Sequence, residues 1–338
     1  MRRCCCLGNP ARARRLRPAT SMRVAFSALP RAAQSVAVDA ARICLDLFKV
    51  MIPILIGVKI LKELGWIVYL AKPLAPLMGM LGLPPECGLT WATAIANNLY
   101  AALAVHAALA TDMGPLTVAQ TTVLATIMLI CHNIFVEGAI AKRCGVGFCG
   151  QAFLRLSGGL FCGLLLHGVF TMFGLFTNPA PQLFTPPEGD AGLGLWALGE
   201  LKNLGLIYLV IASLVGLMRF LDSLGVSRLF EVALRPFLRL MGIGSEAATI
   251  TVIGLVMGLA YGGGLILHDI QKGRVESRDV FSAISLMSLS HALIEDTLLM
   301  YLIGATLWGT FFGRLIFSLA VVAVLSRLFS MMARPRTA

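Results

Sequence analysis

The feature that most constrains this chain is the recurrence of apolar runs that approach bilayer length, such as Leu204 to Phe220 and Leu307 to Leu328, divided by short polar turns. A helix needs about 20 predominantly apolar residues to cross the hydrocarbon core. Lipid offers no partner for backbone N–H and C=O groups, so open sheet edges are excluded and helices are favoured. Composition agrees. The chain is 58% hydrophobic and 13% charged, where soluble domains carry about a quarter charged residues. We therefore expect an all-α polytopic membrane protein in contact with the lipid bilayer.

The net charge of +11 does not point to nucleic acid, because the basic residues gather at the N-terminus and in short segments between apolar runs. Those are the places where Lys and Arg set membrane topology. Several cysteines, Cys87, Cys131 and Cys162 among them, lie inside apolar runs and read as small buried hydrophobes.

Two apolar segments are interrupted in the same way. Ser290-His291-Ala292-Leu293-Ile294-Glu295-Asp296-Thr297 places an imidazole and two carboxylates in a helix long enough to span, and Cys131-His132-Asn133 with Glu137 repeats the pattern of His followed by an acid earlier. The turn Leu81-Gly82-Leu83-Pro84-Pro85-Glu86 is answered by Met241-Gly242-Ile243-Gly244-Ser245-Glu246, 160 residues on. Recurrence of several parts at one spacing indicates an internal repeat. We divide the chain into a basic tail (1–37), a first repeat (38–176), a linker without Lys or Arg (177–199), a second repeat (200–330) and a C-terminal tail (331–338).

Basic loops in the first repeat correspond to uncharged ones in the second, and the reverse also holds. Lys142-Arg143 is matched by Gly304 to Thr306, whereas Thr111 to Pro115 is matched by the turn with Lys272, Arg274 and Arg278. Alternation of this kind marks inverted repeats and predicts cytoplasmic termini in a bacterial inner membrane. Each repeat then has about three spans, with residues 86–110 and 246–267 as re-entrant helical hairpins.

Candidate site residues follow from polarity in an apolar setting. On a continuous helix Ser288, His291 and Glu295 share one face, being three and four residues apart. Strict alignment instead pairs Glu137 with Asp296, while His132, Asn133 and Glu137 occupy the first copy. Asn97 and Asn98 in one hairpin and Gly258, Gly262 and Gly263 in the other are sites where a helix can break and expose its end groups to a ligand. Ionisable residues inside a membrane usually mark a pathway; interhelical glue, or close packing at the glycines, is the competing reading.

The two halves, the Gly82 to Glu86 turn and Ser290 to Thr297 together resemble the nucleoside-recognition or gate domain family over residues from about 45 to 330. That family includes spore maturation membrane proteins, and related segments occur in concentrative nucleoside transporters and in the membrane part of ferrous-iron transporters. The resemblance implies a polytopic transporter-like protein. No GxxxxGK[ST] loop occurs in the sequence, so the GTPase of the iron transporters is not expected.

The expected function is a secondary transporter or permease for a small polar solute, nucleoside-like or an organic anion, with proton coupling as a candidate mode. No catalytic motif, cofactor or resident metal is expected, and a homo-oligomer is compatible with these features. Two other classes stay open. One is a divalent-metal transporter using Cys131, His132, Glu137, His291 and Glu295. The other is a non-transporting scaffold in which the polar residues act as glue.

Overall fold

A computed structural model describes residues 21–181 and 192–332. Residues 1–20, 182–191 and 333–338, which hold most of the basic tail, the middle of the linker and most of the C-terminal tail, lie outside the described residues. The chain is helical throughout, with no strand among the described residues and an isolated bridge between Thr117 and Pro179.

Helix α1 (Ser21–Glu63) leads into the short α2 (Ile67–Ala71) and α3 (Ala75–Met80). Helices α4 (Cys87–Ala96) and α5 (Leu99–Ala108) pack on one another, with α6 (Ala110–Met113) as a single turn after them. Then come α7 (Val118–Cys131), α8 (Ile134–Arg143) and the long α9 (Phe148–Phe173).

The order recurs beyond the linker. Helix α10 (Leu193–Ser223) is followed by α11 (Val226–Leu240), the packed pair α12 (Ser245–Met257) and α13 (Leu259–Gln271), the pair α14 (Ser277–Ser290) and α15 (Glu295–Leu302), a π-helical turn at Trp308–Gly313, and α16 (Arg314–Met332). Helix α1 begins within the stretch assigned above to the basic tail, so residues 21–37 are helical.

Local chemistry sets these boundaries. Gly82 and Gly242 follow α3 and α11 at φ 68° and 79°, a left-handed turn that glycine enters without steric cost. At Gly82 a side chain is excluded twice over, because a Cβ would lie 2.2 Å from Cε1 of His167. Thr117 opens α7 with a capping box: its hydroxyl accepts from the Gln120 N–H at 3.2 Å, and the Gln120 amide oxygen accepts from the Thr117 N–H at 3.0 Å.

Five stretches are long and apolar enough to cross a membrane: 118–143, 148–173, 193–223, 277–302 and 308–328. Helix α1 does not contain one, since Lys49, Lys59, Lys62 and Glu63 lie close about its apolar run Val50 to Val58. The stretches 118–143 and 277–302 have 72% of their apolar window buried, against 28% or less for the other three. The broken segments α7–α8 and α14–α15 therefore form the centre, and α9, α10 and α16 surround it. Their outer faces expose Phe153, Phe161, Leu209, Phe220, Ile316 and Val324, while Arg155, Gln151 and Arg314 point inward. Apolar groups outside and polar ones inside suit a lipid solvent.

The repeats are clasped together rather than set side by side. Helix α9 packs on α14 and α7 on the π turn. Gln151 Nε2 donates to Ser285 Oγ at 2.9 Å, and the Thr306 N–H donates to Thr122 Oγ1 at 2.9 Å.

Candidate functional site at four helix breaks

Four interruptions meet at the centre. Asn97-Asn98 separates α4 from α5, and Gly258, at φ 102°, separates α12 from α13. His132 and Asn133 separate α7 from α8, and residues 291–294 separate α14 from α15. The last two breaks are alike in detail. His132 and His291 are both extended C-caps, with ψ 154° and 169°, and the next residue is left-handed in each case: Asn133 at φ 54° and Ala292 at φ 44°. An alanine pays for that conformation in strain, which the surrounding structure must offset.

A break in lipid leaves N–H and C=O groups without partners. Here neighbouring breaks complete one another. The Asn133 N–H donates to Ala94 O at 2.8 Å near the end of α4, and the Leu293 N–H donates to Leu255 O at 2.8 Å near the end of α12. Asn98 caps α5, its side-chain oxygen accepting from the Ala101 N–H at 2.9 Å. At the end of α7 the carbonyls are taken by Arg155, which donates from Nε to Ile130 O at 2.7 Å and from Nη2 to His132 O at 2.5 Å. Arg314 does a similar task in the second repeat through a single donation, from Nη2 to His291 O at 3.3 Å. A cation at a helix C-terminus also complements the dipole.

The breaks deliver two imidazoles face to face. The Nε2 atoms of His132 and His291 are 3.2 Å apart, and both rings are almost fully buried. Each ring directs Nδ1 at a carbonyl, Leu129 O at 3.0 Å for His132 and Met287 O at 2.9 Å for His291. A carbonyl can only accept, so Nδ1 carries the proton and Nε2 of the neutral ring presents a lone pair. Glu137 divides its oxygens: Oε2 takes Arg155 Nη1 at 2.5 Å, and Oε1 lies 3.1 Å from His291 Nε2 and 3.6 Å from His132 Nε2. Asp296 Oδ2 lies 3.8 Å from His132 Nε2 and has no hydrogen-bond donor among the described residues.

The structure thus brings together His132, Glu137, His291 and Asp296, two from each repeat. It does not produce the continuous stripe of Ser288, His291 and Glu295, because the helix is interrupted between His291 and Glu295. The interruption turns Asp296 to His132, leaves Glu295 half-buried at the start of α15 without an ion pair among the described residues, and keeps Ser288 buried in α14. Asn97, Asn98, Asn133 and Gly258 form the breaks themselves. Gly262 and Gly263 act in packing: a Cβ on Gly262 would meet Gly254 Cα at 2.6 Å, and one on Gly263 would meet Ile140 Cγ2 at 2.6 Å. Cys131 Sγ donates to Arg155 O at 3.2 Å.

Arg155 and Arg314 are the participants that residue patterns missed. An arginine near the start of each of two spans, Arg155 and Arg314, at the same spacing as the two histidines, is the signal that would have found them.

The uncharacterized membrane protein YvoD of Bacillus subtilis (strain 168) is 28% identical over 269 residues, which is 77% of this chain and 83% of that protein. No solved structure matches significantly. Residues 44–183, which hold the hairpin α4–α5, the broken span α7–α8 and α9, match the family described as Gate, nucleoside recognition. The chain thus has, among the described residues, five helices long and apolar enough to cross a membrane, and over residues 44–183 it is similar to the nucleoside-recognition gate domain.

Proposed function

We propose that the chain is a secondary transporter of two inverted repeats that passes a small polar solute, nucleoside-like or an organic anion, across a bacterial cytoplasmic membrane. The observation that carries this reading is the meeting of four helix breaks, two per repeat, around His132, Glu137, His291 and Asp296. Transporters place irregular backbone at the bilayer midplane, where it lines a site that the two repeats expose alternately. The alternation of basic and uncharged loops between the repeats supports the inverted arrangement and cytoplasmic termini. His291 and the carboxylates around it are the groups suited to proton coupling.

The test is uptake by proteoliposomes holding the purified chain, run against a panel of nucleosides and small organic anions with and without an imposed pH gradient. Accumulation of one class, lost in Glu137→Gln, is the expected result. Absence of uptake across the panel in both conditions overturns the reading in favour of a scaffold.

A further inference from the structure

We propose that His132 Nε2, His291 Nε2, Glu137 Oε1 and Asp296 Oδ2 form a divalent transition-metal site of the zinc type that joins the two repeats. The four atoms are acceptors turned toward one another. With both Nδ1 protons committed to carbonyls, two imidazole lone pairs oppose each other at 3.2 Å, and a carboxylate oxygen lies 3.1 Å from one of them. One shared proton could settle His291 with Glu137 or with His132, but it would leave Asp296 Oδ2 without a donor. A metal ion serves all four acceptors at once.

Zinc binds His nitrogen and carboxylate oxygen at about 2.0–2.2 Å, so neighbouring ligand atoms of a tetrahedral site are about 3.4 Å apart. His132, His291 and Asp296 are the core of the site, their ligand atoms lying within 4.8 Å of one another. His132 Nε2 lies 3.2 Å from His291 Nε2 and 3.8 Å from Asp296 Oδ2, and Glu137 Oε1 approaches the two imidazoles at 3.1 and 3.6 Å as the fourth donor. The second layer is of the kind metal-bound histidines require, each ring being fixed by an Nδ1–H donated to backbone and Glu137 being fixed by Arg155. Arg155 pairs with Glu137 Oε2 as well as with the carbonyl end of α7, so Glu137 offers the ion its other oxygen, and Asp296 supplies the carboxylate charge that no ion pair with arginine takes up among the described residues. Two imidazoles disfavour Mg2+ and Ca2+, which prefer all-oxygen shells.

The site rests on the four ligand atoms and holds whether or not the chain carries a solute. It is tested on the full chain, purified in detergent through a histidine-free tag, stripped with chelator and titrated with Zn2+ or Co2+. We expect about one ion per chain, visible Co2+ bands of four-coordinate intensity, and a rise in thermal unfolding temperature on adding Zn2+ but not Mg2+. The His132→Ala/His291→Ala variant should weaken binding by more than the about 100-fold loss that outer-layer changes reach. X-ray absorption on the wild-type protein loaded with Zn2+ makes the same test without a variant, by imidazole scattering. Zn2+ binding no stronger than Mg2+ binding, affinity unchanged in the double variant, or sulfur in place of imidazole around the ion would overturn the proposal.

Discussion

Replacing Arg155 with Gln asks what holds the broken span together. Arg155 is 2% exposed and each guanidinium nitrogen has a protein partner: Glu137 Oε2 at 2.5 Å, Ile130 O at 2.7 Å and His132 O at 2.5 Å. Removing it strands a buried carboxylate, which costs about 3–5 kcal/mol. Two carbonyls also lose their donor, at about 1 kcal/mol each, for a total of about 5–7 kcal/mol. Arg314 is as deeply buried but makes one longer bond, to His291 O at 3.3 Å, and its Nε and Nη1 have no partner among the described residues. Arg314→Gln should therefore cost about 1 kcal/mol or less, since it also removes a poorly satisfied buried charge.

The assay is reversible unfolding in mixed micelles, followed by circular dichroism, with Glu137→Gln/Arg155→Gln as the third variant. The double variant should recover much of the loss, because the carboxylate that the single change strands is gone. Equal destabilisation by Arg155→Gln and Arg314→Gln, or no recovery in the double variant, would refute the claim that the arginine acts by pairing Glu137 and the α7 carbonyls.

Asp296→Asn should reduce uptake more than Glu295→Gln does, since Asp296 faces His132 and Glu295 does not; equal effects would return the helix to a continuous form. Asn98→Ala removes the cap on α5 and should cost about 1 kcal/mol in the same unfolding assay. Gly262→Val cannot fit against Gly254 without parting α12 from α13, so its melting temperature should fall well below that of Gly264→Val, where a Cβ meets nothing within 4 Å. Single cysteines at Thr177 and Gly273, in a background freed of native cysteines, should react with an impermeant reagent from opposite faces of sealed vesicles; labelling from one face would sink the inverted arrangement.

The His pair was legible because polar residues are expensive in an apolar segment, so His132 and His291 stand out at their common spacing. The identity of the partner acid was harder to read. Helical periodicity favours Glu295, four residues from His291, and only a break that periodicity does not encode hands the role to Asp296. Arg155 and Arg314 passed as single polar letters in long runs, since their task is to satisfy carbonyls that exist only once the helices are broken. The length of α1 was hidden for a different reason: its charged positions disrupt the hydropathy signal without disrupting the helix.

The hydrogen bonds from Asn133 to Ala94 and from Leu293 to Leu255 carry a mechanical consequence. Neither discontinuity of a pair can be straightened alone, because each would strip its neighbour of a donor or acceptor in a solvent that supplies none. Hairpin and span are therefore hinged as one body within each half of the chain. Any rearrangement that opens the centre must slide or tilt such bodies whole, and a helix transplanted from either body without its mate would lack a stable place in the bilayer.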